Sequence, residues 1–166
     1  MNELERLIEK HRANGLLIDG NLLVLLFVGR TNRRRIADFK RTSKYKVSDY
    51  ELLEQLVSVF RQTLTTPHVL TEASNLAKLA GSELAQIRQI MKEFVEITDE
   101  LHETSRVVVH DHSFSRLGIT DAAISTVCAN VLVLTDDFEL YDSLGRRGID
   151  AVNFNHLREW RRQPIS

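Results

Sequence analysis

Five carboxylates in this sequence stand where an α/β protein would place its chemistry. Asp19 interrupts the apolar run LLIDGNLLVLLFVG, Glu72 lies in TPHVLTEASNL, and Asp121 lies in LGITDAAI. Asp136 and Asp137 close the apolar run that opens VLVLTDDFELYDSLGRRGIDAVNF. An ionised carboxylate inside an apolar segment must be solvated, paired or holding a cation. Taken singly, Glu72 or Asp121 could simply favour a helix N-terminus, worth roughly 0.3–1 kcal/mol. Four such positions converging on one point would repel and raise one another's pKa unless something positive neutralised them. A ligand set of oxygens, without Cys or His, suits Mg²⁺ or Mn²⁺. Asp19, Glu72, Asp121, Asp136 and Asp137 are therefore the expected metal ligands, with Asn21, Thr120 and Thr135 as neutral supports for the acids or for bound water.

Placing these groups requires strands that end, and helices that begin, at the same edge of a sheet. Residues 2–12 read as an amphipathic helix, and Asn14-Gly15 is a turn leading to a buried strand, Leu16 to Asp19. Ser48 and Glu51 form a capping box, and apolar spacing then carries a helix toward Leu64. Pro67 should halt that helix and admit a short strand to Leu70, with Thr71 capping the helix that bears Glu72. Gly81-Ser82 separates this from a helix reaching about Val95. The stretch from Glu103 to Ser115 is ambiguous, because its valines favour a strand and its charged flanks favour a helical turn. Thr120 then caps a helix to Asn130, and VLVL forms a strand. A helix from Phe138 to Arg147 stops at Gly148, a strand spans Ile149 to Phe154, and Asn155 caps a last helix. Short buried strands alternating with helices predict an α/β fold in three layers, with a mostly parallel sheet.

The bulk composition sets the remaining bounds. The chain has 166 residues, 43% hydrophobic and 27% charged, which suits one ordinary globular domain. No linker, repeat or low-complexity segment divides residues 1–166. The apolar run from Leu16 to Val28 is thirteen residues long, short of the roughly 20 needed to span a membrane. The first fifteen residues read as a polar helix rather than a secretory leader. Cys128, the single cysteine, excludes an internal disulfide and favours a reducing, cytoplasmic setting, with Cys128 itself a small core residue.

Charge is unevenly spread. Eight basic residues and one acid lie between Arg30 and Lys46, so the rest of the chain carries a formal net of minus eight. A basic stripe beside an acidic body would serve a polyanion partner together with a bound cation, while a solvated helix face is the plainer reading. Arg33, Arg34, Arg35 and Lys40 are the candidates for phosphate contacts. Phe39 and Tyr45, interleaved with them, are expected to pack inward rather than to stack on bases. A second apolar face on the helix bearing Leu52, Leu56 and Phe60 would suit a homodimer or a partner helix.

In their order along the chain, LLIDGN, TPHVLTEASNL, LGITDAAI and VLVLTDDFELYDSLGRRGIDAVNF resemble the PIN-domain nucleases, including VapC-like toxin ribonucleases. The resemblance covers about Leu16 to Phe154. It implies a single PIN-like domain over residues 1–166, with a basic helical insertion at about 30–64, and divalent-metal-dependent endoribonuclease activity on single-stranded or structured RNA. In that family an aspartate after the first strand, a glutamate and one or two later aspartates bind Mg²⁺ or Mn²⁺, and Asp19, Glu72 and Asp121 match those places. A family pattern of Thr or Ser, any residue, then Asp or Asn selects Asp137 through Thr135, with Asp136 the other choice. Asp19, Glu72, Asp121 and Asp137 are thus the expected catalytic acids. A toxin would also imply an antitoxin partner, although the 53 positions between Asp19 and Glu72 exceed the spacing of compact toxins. The alternative within the family is a non-catalytic module that binds RNA or protein.

Two other motifs carry less. His110-Asp111-His112 could ligate a transition metal, but side chains two apart on a helix diverge and no third ligand is near in sequence, so a loop or surface role is expected. His68, beside Pro67, reads as a strand-end residue. A response-regulator receiver also gathers aspartates around Mg²⁺, yet it wants an acidic pair near its start and a lysine after its last core strand, and neither is present.

Overall fold

The protein is described here by a computed structural model covering residues 2–162. Leu16, Leu17 and Ile18 are all but fully buried, an unbroken apolar run of the kind a parallel strand covered on both faces requires. They form β1 (Leu16–Ile18), preceded by α1 (Glu3–His11) and followed by α2 (Gly20–Thr31). The basic segment contains the short α3 (Arg35–Asp38) and leads to α4 (Val47–Val59), β2 (Thr63–Thr65), α5 (Pro67–Leu76), α6 (Ser82–Ile97) and β3 (Asp99–Glu100). Two helical turns, α7 (Ser105–Val108) and α8 (Phe114–Leu117), precede α9 (Ile119–Val127), β4 (Leu132–Thr135), α10 (Phe138–Arg146), β5 (Ala151–Asn153) and α11 (Phe154–Arg162).

All five strands are parallel, in the order β3-β2-β1-β4-β5. Central β1 sets Leu17 opposite Leu64 of β2 and Val133 of β4. Helix α2 packs against α4, α5 and α6, while α1 and α10 pack at β4 and β5, an arrangement consistent with three α/β/α layers. Among the described residues no helix is long and apolar enough to cross a membrane.

Helix α4 sits unusually close to α2. A Cβ on Gly29 would lie 2.3 Å from the Tyr50 ring, whose hydroxyl donates to Glu54 Oε1 at 2.8 Å. Glu54 in turn accepts two bonds from the Arg30 guanidinium, at 2.7 and 3.0 Å. Gly29→Ala should therefore cost about 1–3 kcal/mol through overpacking. Urea denaturation measures this directly, and an unchanged midpoint would mean that Tyr50 swings aside freely.

Several boundaries differ from the sequence expectation. The helix expected to reach Leu64 ends at Val59, because the β-branched Thr63 and Thr65 flank buried Leu64 in a strand that pairs with β1 through Thr63 and Leu64 and with β3 through Leu64 and Thr65. The insertion expected at about 30–64 therefore runs into the sheet. Pro67 does not open a strand. It is the first residue of α5, where its fixed φ suits the helix, and Thr66, not Thr71, caps it by accepting the Val69 N–H at 3.1 Å. Helix α4 begins one residue before Ser48, with the Asp49 carboxylate accepting the Lys46 N–H at 2.9 Å. Gly118, at φ 83°, precedes α9 where Thr120 was the expected cap. The last strand is shorter than expected because Phe154 already belongs to α11, and Asn153 Oδ1 accepts the Asn155 N–H at 2.9 Å. The ambiguous stretch after Glu103 is helical turns rather than a strand.

Candidate active site

The strand order reverses at β1. The chain builds β2 and β3 on one side of it, then returns to add β4 and β5 on the other. In open parallel sheets the crevice outside the carboxyl ends of the strands at such a switch point is where ligands bind. Asp19 follows β1 and Asp136-Asp137 follow β4, so the local sequence delivers acids to this point.

Asp19 is 5% exposed and caps α2. Its Oδ1 accepts the Leu22 N–H at 3.0 Å. Its Oδ2 accepts the Asp136 N–H at 3.1 Å and a short bond from the Thr135 hydroxyl. Burial, and then the charge of Asp136, raise its pKa against the pull of those bonds. Asp137 caps α10, with Oδ1 accepting the N–H groups of Glu139 at 2.7 Å and Leu140 at 3.2 Å. Asp121 occupies the first turn of α9. Burial, followed by the charges of Asp137, Glu72 and Glu139, pushes its carboxyl from 3.8 up to about 7. Glu72 lies more than a turn inside α5 rather than opening that helix. Gly20 gives it room, since a Cβ there would stand 3.3 Å from Glu72 Cδ and Oε1.

These four acids line one cleft of about 210 Å³, together with Asn21, Thr120 and the backbone around Gly118. Among the described residues no Lys or Arg lines it. Three helix N-termini, those of α2, α9 and α10, meet here and partly offset the negative charge. Among the described residues no three acid, imidazole or thiol groups are drawn into a ready ligand set. Like charges without compensation hold one another apart.

Asp136 has a different environment from its neighbour. It is not among the residues lining the cleft, and its side chain is 1% exposed. Its Oδ2 accepts short bonds from Lys44 Nζ and the Tyr45 hydroxyl, and its Oδ1 accepts from Asn21 Nδ2 at 3.3 Å. Arg158 stacks over the Tyr45 ring at 4.9 Å, donates to the Lys44 carbonyl at 2.8 Å and pairs with Asp49 at 3.0 Å. Asp136 thus ties the end of the basic segment to the sheet edge beside Asp19. The sequence groups Lys44 with the stripe, and nothing local reveals that it returns to the site.

The rest of the stripe lies elsewhere. Arg33, Arg34 and Arg35 follow the far end of α2, whose twelve residues separate them from Asp19 by about 18 Å at 1.5 Å per residue. Arg33 pairs with Glu51 at 3.0 Å and Arg35 with Glu83 at 2.7 Å, while Arg34 and Lys40 are exposed. Tyr45 is buried and Phe39 packs against the core, as expected. His110 and His112 are exposed, and Asp111 between them holds Arg147 by bonds of 3.0 and 2.9 Å, so this loop is an anchor. Cys128 is buried.

Fold and cleft together define an α/β protein with an all-parallel sheet and an acidic cleft at its switch point. No protein-family model matches the chain, and no curated protein matches it at a significant level.

Proposed function

We propose that the chain is a PIN-like, Mg²⁺- or Mn²⁺-dependent endoribonuclease acting in the cytoplasm. The observation that carries this reading is the meeting of Asp19, Glu72, Asp121 and Asp137, from four separate elements, in one cleft at the sheet's switch point. The donor set fits a hard cation, since it offers only oxygens, and burial followed by the charges of its neighbours holds Asp121 well above the usual carboxylate range. Asp19, Asp121 and Asp137 would hold such an ion, which when bound lowers the pKa of water and polarises a phosphate oxygen.

The protein's own groups supply orientation and exclusion. Asp19 is fixed by three donors, so it would offer a cation a carboxylate of set position. Glu72, free of such anchoring at the cleft wall, orients the attacking water. The N-termini of α2, α9 and α10 favour the added negative charge of phosphate. Thr120 and Asn21 line the cleft as neutral hydrogen-bonding groups. The stripe, beyond the far end of the buried α2, draws the rest of the strand. Its exposed ion pairs are weak and can exchange a carboxylate for a phosphate.

Incubating the purified protein with a mixed RNA pool and Mn²⁺, and mapping the cut ends, tests the activity. Binding without cutting at any metal concentration would favour the non-catalytic RNA-binding module instead. The distance of the stripe adds a length dependence. Changing Arg33, Arg34 and Arg35 to Ala should weaken binding of long single-stranded RNA and flatten its salt dependence by up to about 2, at roughly 0.7 per lost contact. An oligonucleotide too short to leave the cleft should bind the variant and the native protein alike. Wild-type salt dependence on long RNA would assign the stripe to another partner, such as an acidic protein.

A further inference from the structure

A second, larger groove of about 530 Å³ adjoins the carboxylate cleft and shares Glu72, Ile119 and Thr120 with it. Its far walls are α5, through His68, Thr71 and Asn75, and the segment carrying His102, Glu103 and Ser105, so that Glu72 and Glu103 are its charged residues. The two cavities differ in character. The cleft is lined mainly by polar surface and the groove mainly by apolar surface, and among the described residues no Lys or Arg lines the groove. A ligand crossing from one to the other must carry its charge at one end and a neutral, largely apolar body at the other.

We propose that this groove is a nucleobase subsite, seating the base of the nucleotide next to the phosphate held at the carboxylates. The proposal rests on the reading of the cleft as an RNA-cleaving site. A base has two apolar faces and a hydrogen-bonding edge, and the groove offers both kinds of surface. The imidazoles of His68 and His102 are flat groups of the kind on which unstacked bases lie. Asn75 carries both a donor and an acceptor for the edge of a base. The Ser105 hydroxyl stands 3.4 Å from His68 Nε2 and steadies that ring. The groove's volume lies within the range of small-ligand sites, and its lack of cationic lining suits the base rather than another phosphate.

The test measures binding of fluorescein-labelled oligoadenylate and oligouridylate to the cleavage-impaired Asp121→Asn protein, with an abasic ribose placed at each position in turn. One abasic position beside the mapped cut should weaken binding by about tenfold. His68→Ala with His102→Ala should weaken the intact RNA similarly and abolish the abasic penalty, since both remove the same contact. Asn75→Trp, an exposed helix position whose new ring would fill the groove, should do the same without changing the melting temperature. If native protein cuts RNA while every abasic position binds within twofold of the intact strand, or the penalty survives in the variants, the subsite is refuted. If native protein neither binds nor cuts unmodified RNA, the reading of the cleft fails first, and the subsite falls with it.

Discussion

Asp121→Asn is expected to lower RNA cleavage by on the order of 10²–10³-fold or more, the scale of losing one group that stabilises transition-state charge, while RNA binding stays near native. Asp121 sits at the start of α9 facing Asp137 and Glu72, so its charge is costly to the fold and useful only against a cation. The same substitution should therefore stabilise the metal-free protein at pH 8. Asp121 ionises near 7 in the folded protein and near 3.8 when unfolded. Its contribution favours folding fully below about pH 4 and is lost as pH rises through 7. The gain from Asn should consequently be largest at pH 8, clearly smaller at pH 5, and vanish only below about pH 4. Cleavage assays and paired thermal melts at the two pH values check both halves. Native cleavage by Asp121→Asn would remove this residue from the chemistry.

The second large effect joins pH to metal. Asp19 and Asp121 are both raised by burial and by neighbouring carboxylates, so the metal-free protein should melt lower at pH 8 than at pH 5. For the partly exposed Asp121, solvent screening reduces the contribution to about 1–2 kcal/mol. Each kcal/mol is worth about 2–4 °C at this chain length. Mn²⁺ at about 100 times its dissociation constant should add about 2.7 kcal/mol at pH 8 by binding only the folded state. At pH 5 protons compete for the same oxygens, and the gain should shrink. A melting temperature insensitive to millimolar Mn²⁺ at pH 8 would overturn the metal assignment while leaving the fold untouched. Asp19→Asn should blunt the metal response as well, although its three hydrogen bonds make some loss of intrinsic stability expected too.

The sequence by itself determined the kind of fold and marked the candidate acids. A short apolar run that follows a turn signal, such as Leu16–Ile18 after Asn14-Gly15, suits a strand covered on both faces, and the acids that end such strands lie at one edge because parallel strands all point one way. Burial of Tyr45 and Cys128 also followed from their types. Boundaries near Thr63–Pro67 did not, because a few β-branched residues before a proline suit either the end of a helix or a strand, and pairing with β1 decided between them. Only the tertiary structure separated Asp136 from Asp137. The two are adjacent in sequence, but one carboxylate meets Lys44 and Tyr45 and the other lines the cleft. The same long-range packing split the basic stripe, sending Arg33–Arg35 to the far end of α2 and bringing Lys44 back to the sheet edge. It also set His68 and His102, 34 positions apart in sequence, across one groove. Periodicity and capping act over a few residues, whereas strand order and the direction a side chain faces depend on segments that meet only when the chain is folded.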